Sequence, residues 1–108
     1  MKELCRLDDL SDPGSGAFVA DMNGAFQAIL LIRQGHQVFG YLNNCPHIGA
    51  PLNGPDRNFL DRTAEFILCS NHGALFRIED GFCLSGPCAG KSLTSVAIEL
   101  RDGVVILK

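Results

Sequence analysis

Cysteine and histidine are the residue types here with the widest chemistry, and four of them fall into two matched pairs. Cys45-Pro46-His47 and Cys69-Ser70-Asn71-His72 each set one thiol near one imidazole, with 21 residues (48–68) between the pairs. Gly49 follows the first pair and Gly73 the second, which lets backbone approach a bulky inorganic group. Pro46 and Pro51 stiffen the first loop by fixing φ. Three readings are open at this point. The pairing is a coincidence of loop residues; or it is a Cys₂His₂ zinc site; or two cysteines hold one iron and two histidines the other iron of a [2Fe–2S] centre. Common zinc knuckles pair Cys with Cys and His with His, which is not the arrangement here. In the iron–sulfur reading, two thiolates cancel the surplus charge of the ferric and sulfide ions, and neutral imidazoles add nothing. An added electron then enters a neutral site rather than the dianion of an all-cysteine cluster, which raises the potential. Imidazole also keeps a second nitrogen that can gain or lose a proton, which couples electron and proton transfer.

Loops with such duties need rigid strands behind them. Turn signals recur at Asp12-Pro13-Gly14, Asn23-Gly24, Gln34-Gly35, Asn53-Gly54-Pro55, Asp80-Gly81, Ser85-Gly86-Pro87 and Asp102-Gly103. Phe26 to Arg33 and Val38 to Leu42 flank Gln34-Gly35-His36 and read as a hairpin. Phe66 to Cys69 and Leu75 to Ile78 read as two further strands, one running into the second Cys/His pair. Val96, Ile98 and Leu100 alternate with Ala97 and Glu99, the pattern of a strand with one buried face. Asp102-Gly103 then turns that strand into Val104 to Leu107. One helical turn has room in Asp56 to Ala64, and no window carries a long 3.6-residue period. The expected fold is all-β, a small antiparallel sandwich or barrel.

Length and composition bound the rest. A chain of 108 residues with 46% apolar and 19% charged residues is one globular domain, 1–108, with one modest core. Its longest apolar run, Ala28 to Ile32, is far short of the roughly 20 residues a membrane helix needs. The opening residues Met1 to Arg6 lack the apolar core of an export signal, so a cytoplasmic setting and no membrane association are expected. A net charge of −3 argues against a nucleic-acid partner. Reduced thiols are the rule in the cytoplasm, and the odd number of cysteines, five, fits metal ligation better than a disulfide framework.

The run Cys45-Pro46-His47-Ile48-Gly49-Ala50-Pro51-Leu52, with Cys69-Ser70-Asn71-His72-Gly73-Ala74-Leu75-Phe76, resembles the signature of the Rieske ferredoxins, C-x-H followed by C-x-x-H. Ser85-Gly86-Pro87 looks like the proline loop that shields the cluster in that family, so the resemblance covers nearly the whole chain. It implies a Rieske-like fold in which loops 45–50 and 69–74 form a cluster-binding subdomain covered by loop 85–88. It also implies one [2Fe–2S] cluster, with Cys45 and Cys69 on the inner iron and His47 and His72 on the outer. The branch that serves respiratory quinol oxidation has a disulfide where this chain has Ala50 and Asn71. It has hydroxyls where this chain has Ala74 and Phe76. Fewer donors to the cluster leave the reduced state less stabilised. The low-potential branch is therefore indicated, similar to ferredoxins that serve bacterial multicomponent oxygenases.

On that resemblance the chain is an electron carrier rather than an enzyme. It would be loaded by a flavoprotein ferredoxin reductase and unloaded by a terminal oxygenase or similar acceptor. The competing class is a regulatory or structural subunit, like the small subunit of nitrite reductase, or a cluster-based redox sensor. Cys83 and Cys88 are read as small buried or half-buried thiols and Cys5 as a packed strand residue. His36 is read as a solvated hairpin tip. Asp8, Asp9, Asp12, Glu79 and Asp80 are candidates for docking a basic reductase face, against the simpler reading of solvated surface acids.

Overall fold

The structure is a computed structural model that describes residues 2–22, 24–44, 59–69, 73–86 and 89–108. Its strands are β1 (Lys2–Arg6), β2 (Gly14–Met22), β3 (Ala25–Gln34), β4 (Gln37–Leu42) and β5 (Phe66–Leu68), then β6 (Leu75–Arg77), β7 (Cys83–Ser85), β8 (Ile98–Arg101) and β9 (Val104–Leu107). Among the described residues these form three three-stranded antiparallel sheets, β1-β9-β8, β2-β3-β4 and β5-β6-β7, with one 3₁₀ turn at Leu7–Asp9. The all-β expectation holds.

The layering follows from β3. Ile29, Leu30, Leu31 and Ile32 are all wholly buried, which a period-2 strand achieves only with protein on both faces. Leu30 and Ile32 pack with Phe59, Ile67 and Phe76, on the side of β5-β6-β7. Ile29 and Leu31 pack with Val105 and Leu107 of β9. The sheet β2-β3-β4 is therefore the shared middle layer between two cores.

The expected hairpins are present. Gln34 faces Gln37 across a two-residue loop in which Gly35 takes φ +62, a value glycine adopts without strain. Arg101 faces Val104 across Asp102 (φ 52) and Gly103 (φ 77), the left-handed pair that closes a tight hairpin. Three readings need correction. Gly14 opens a nine-residue strand rather than sitting in the turn, and it is glycine for a steric reason, since a Cβ there would lie 2.5 Å from the Ser11 carbonyl oxygen. The buried stripe of β8 fails at its end, where Leu100 is 37% exposed, because β8 lies at the edge of its sheet and its last residues reach past the core. Asp61–Ala64 makes no helix but a turn closed by the Ala64 N–H on the Asp61 carbonyl oxygen (3.0 Å), while Asp56–Asn58 lie outside the described residues.

Candidate metal centre

Of the four residues expected to hold a cluster, Cys69 is described; Cys45, His47 and His72 lie outside the described residues, as do loop 45–50, Asn71, Pro87 and Cys88. Cys69 comes one residue after β5, wholly buried in the core that holds Leu30, Ile67 and Phe76. Its N–H donates to the Ala74 carbonyl oxygen and its own carbonyl accepts the Gly73 N–H, both at 2.9 Å. These bonds continue the β5-β6 ladder past its last pair, Leu68 with Leu75, and close the 69–74 turn. Gly73 at φ +70 permits the closure.

Two residues that spacing does not reveal hold Cys69 in place. Phe59, wholly buried, accepts the Leu68 N–H at its carbonyl (2.7 Å) and donates its own N–H to Ser15 Oγ (3.0 Å). The residue before Cys69 is thus tied through Phe59 to β2. Tyr41 of β4 is the second. Its hydroxyl donates to the Ile78 carbonyl at 2.5 Å, joining the middle sheet to the end of β6. Burial, helped by the nearby Asp80 and Glu79 charges, pushes the Tyr41 phenol up to about 12.

Cys83 of β7 and Gly86, just after the strand, lie beside this turn. Cys83, buried, donates its thiol to the Ser85 carbonyl (3.2 Å), and its N–H bonds the Lys91 carbonyl (2.8 Å). Next to Ser85, Gly86 lies against Ala74, itself 1% exposed. A thiolate at Cys69 would have no water to solvate it, so its charge needs a cation or a strong donor set at the same place. A ferric ion supplies that charge. Two thiols and two imidazoles in C-x-H and C-x-x-H spacing are the donor set of a Rieske centre, and the burial of Cys69 fits the thiolate that such a centre needs.

The remaining candidates sort as follows. Cys5 lies in β1, packed against the second core, and its thiol is pushed up to about 11 by burial and by the Asp9 charge. His36 is exposed at its hairpin tip. Three of the five candidate docking acids have partners within the chain. Asp9 accepts the Arg6 N–H (2.9 Å), Asp12 accepts the Gly35 N–H (2.8 Å), and Asp80 pairs with Arg77. The hydrogen bond from Arg77, then the one from the Phe82 N–H, holds the Asp80 carboxyl down at about 2. Asp8 and Glu79 are exposed. Among the described residues no helix is long and apolar enough to cross a membrane.

Residues 1–100 match the family model of the Rieske [2Fe-2S] domain. No curated protein matches the chain. Among solved structures, a chain from the complex of reduced oxygenase and oxidized ferredoxin in carbazole 1,9a-dioxygenase is 25% identical, with a TM-score of 0.76 over 97% of this chain and 89% of that one. A ferredoxin of Sphingomonas yanoikuyae B1 is 24% identical, with a TM-score of 0.75 over 98% and 95%. A protein described as the small subunit of an NADPH nitrite reductase is 17% identical, with a TM-score of 0.69 over 98% and 95%.

Proposed function

The chain belongs to the Rieske [2Fe-2S] domain family, and from that premise we propose that it is a one-electron carrier, with its cluster held by Cys45, His47, Cys69 and His72. One observation carries the ligand assignment furthest: the residue at the first position of C-x-x-H is a wholly buried cysteine at the head of a closed, strand-supported turn. The cluster supplies a site that accepts and releases one electron. The chain supplies the rest. Cys69 gives a thiolate shielded from water, the backbone bonds among Cys69, Gly73 and Ala74 fix its direction, and Gly86 lies against Ala74 beside it. With two thiolates and two imidazoles on the two irons, no position is left for a substrate, so the work is transfer rather than catalysis.

The partners we propose are a flavoprotein reductase as donor and a terminal oxygenase as acceptor, in the cytoplasm. The oxygenase is supported by the likeness to a chain from an oxygenase–ferredoxin complex. The nitrite-reductase small-subunit reading has a likeness of fold at 17% identity behind it, and the four ligand-type residues favour the carrier. The test is direct. Aerobically purified protein should be red-brown with about two irons and two sulfides per chain. Alanine in place of any of the four ligands should remove most of the colour. Full iron retention in His47→Ala and His72→Ala would refute the assignment, and failure of a purified oxygenase to oxidise the reduced protein would refute the acceptor.

A further inference from the structure

Each sheet ends in two outer strands, and among the described residues five of these six edges are guarded. β1 carries Lys2, Glu3 and Arg6 with a bulge between Glu3 and Cys5, and β8 carries Glu99 and Arg101. β4 is bridged to Ser95 and β5 to Leu60, and the Cys83 N–H of β7 is taken by the Lys91 carbonyl. Charges, bulges and covering segments are the usual means of keeping a strand edge from pairing with another chain. From Gly16 to Ala20, β2 has none of them. Hydrogen bonds elsewhere fix which groups point out of that edge. The Gly40 carbonyl accepts the Val96 N–H and the Leu42 N–H donates to Thr94, so even-numbered residues of β4 face away from β3. Tyr41 and Phe39 therefore bond to β3, at Leu30 and Ile32. Odd-numbered residues of β3 then bond to β2, where Leu31 faces Gly16 and Ile29 faces Phe18. Ala17 and Val19 are left pointing their N–H and C=O groups outward, and nothing among the described residues bonds them there. Val19 is also 67% exposed.

We propose that this edge pairs with the same edge of a second copy of the chain, antiparallel about a two-fold axis at Phe18. In that register Ala17 faces Val19 of the second copy and Val19 faces its Ala17, so the two chains exchange four N–H···O bonds. Phe18 meets Phe18 of the second copy at a non-hydrogen-bonded position, where Cβ atoms lie about 4.5–5.5 Å apart. A foreign strand could supply backbone bonds too, but self-pairing also suits the charge. Asp21 is the sole charge of β2 and falls opposite Ser15 of the second copy. The two Asp21 carboxylates then stand about 20 Å apart, well beyond the screening length of about 8 Å at physiological salt. An edge running from Ser15 to Asp21 is about 24 Å long in a sheet about 10 Å thick. It covers roughly 300 Å² per partner, against about 800 Å² in a standard interface, so the dimer is weak, with Kd about 0.1 mM. The pairing does not depend on the ligand reading above.

Sedimentation equilibrium of the full chain from about 10 µM to about 1 mM tests it. Wild type should pass from monomer to dimer across that range, and the amide signals of residues 16–20 should move with concentration. Val19→Pro removes an outward N–H that the monomer does not use, at a position where an edge strand tolerates proline. It should weaken pairing at least tenfold, with a Tm near that of wild type. Where proline disturbs the fold, Val19→Lys serves instead: it places a charge on the edge and should weaken pairing to the same extent. Val19→Thr keeps both the backbone groups and the strand preference, and should pair to within about twofold of wild type. A chain still monomeric at about 1 mM overturns the proposal. Amide shifts at residues 16–20 that require an added oxygenase would give the edge to a foreign strand and overturn it as well. A dimer that survives both Val19→Pro and Val19→Lys but is lost in Phe26→Ser overturns it in favour of the exposed Phe26 ring.

Discussion

Phe76→Tyr adds a single hydroxyl to a ring with 0% of its surface exposed, so the new group cannot be satisfied by bulk water. Phe76 belongs to the same core as Cys69 and Ala74, and it is paired with Ile67 on one side and Cys83 on the other. Two outcomes follow. A hydroxyl left unpaired in that site costs about 1–3 kcal/mol of stability in both redox states and leaves the potential alone. A hydroxyl that donates to a cluster sulfur or to the Cys69 thiolate regains that cost. It gains more in the reduced state, where the acceptor carries more negative charge. A differential of about 1.4 kcal/mol moves a one-electron couple by about 60 mV. The expected result is a rise of several tens of millivolts above a wild-type midpoint near −150 mV, with little loss of thermal stability. Ala74→Ser should act in the same direction and by less, since the Ala74 methyl already lies against Gly86. Voltammetry at neutral pH beside a thermal melt separates the outcomes. An unmoved midpoint with a lowered Tm would show that the ring does not reach the cluster. An unmoved midpoint with an unchanged Tm would show the hydroxyl bonded elsewhere. Either result refutes the idea that apolar residues at 74 and 76 set this potential low.

Three other expectations come from described contacts. Tyr41→Phe strips the buried Ile78 carbonyl of its donor and should cost about 1–3 kcal/mol, seen as a Tm several degrees lower. With the phenol raised from 10.0 to about 12, the unfolded chain ionises first, so wild-type stability should fall as pH rises across that window, and this loss should be absent in Tyr41→Phe. Cys5, raised to about 11, should alkylate far more slowly at pH 8 than a model thiol, and Asp9→Asn should speed it slightly; rapid labelling in the folded protein would contradict its packing. Asp80, lowered from 3.8 to about 2, stabilises the 77–82 turn above that range and ceases to do so as pH falls through about 2. An NMR titration that finds the carboxyl near its ordinary value would remove the Arg77 pairing.

Much of this was legible in the residues, for identifiable reasons. Gly35 and Asp102-Gly103 disclose their hairpins because positive φ is costly for other residue types, so composition and geometry are tightly linked there. The Cys/His pairs stand out in the sequence because ligand chemistry constrains residue type more than packing does, and of their four residues Cys69 is the one described. β2 was not named as a strand. Gly14, Gly16 and Ala17 lack the bulk that marks a strand, and these residues are small because neighbours crowd them: a Cβ at Gly16 would meet the Phe18 ring at 2.8 Å. Leu100 shows the opposite failure, a correct period with no partner layer at its end. The supports of Cys69 were invisible for a third reason. Phe59 works through its backbone N–H and C=O, groups that nearly every residue possesses, so residue type says nothing about them.

The doubly buried run Ile29–Ile32 has a consequence for how such a chain can change over generations. Leu30 and Ile32 serve the core that holds Cys69, while Ile29 and Leu31 serve the one built on β9. Substitutions confined to the β9 side, such as at Val105 or Leu107, share no side-chain neighbourhood with Cys69, and their effects should add to those made near it. Changes in abundance or heat tolerance can accumulate on that side without touching the neighbours of Cys69. The four residues of β3 belong to both halves, and that short stretch is where the two histories must agree.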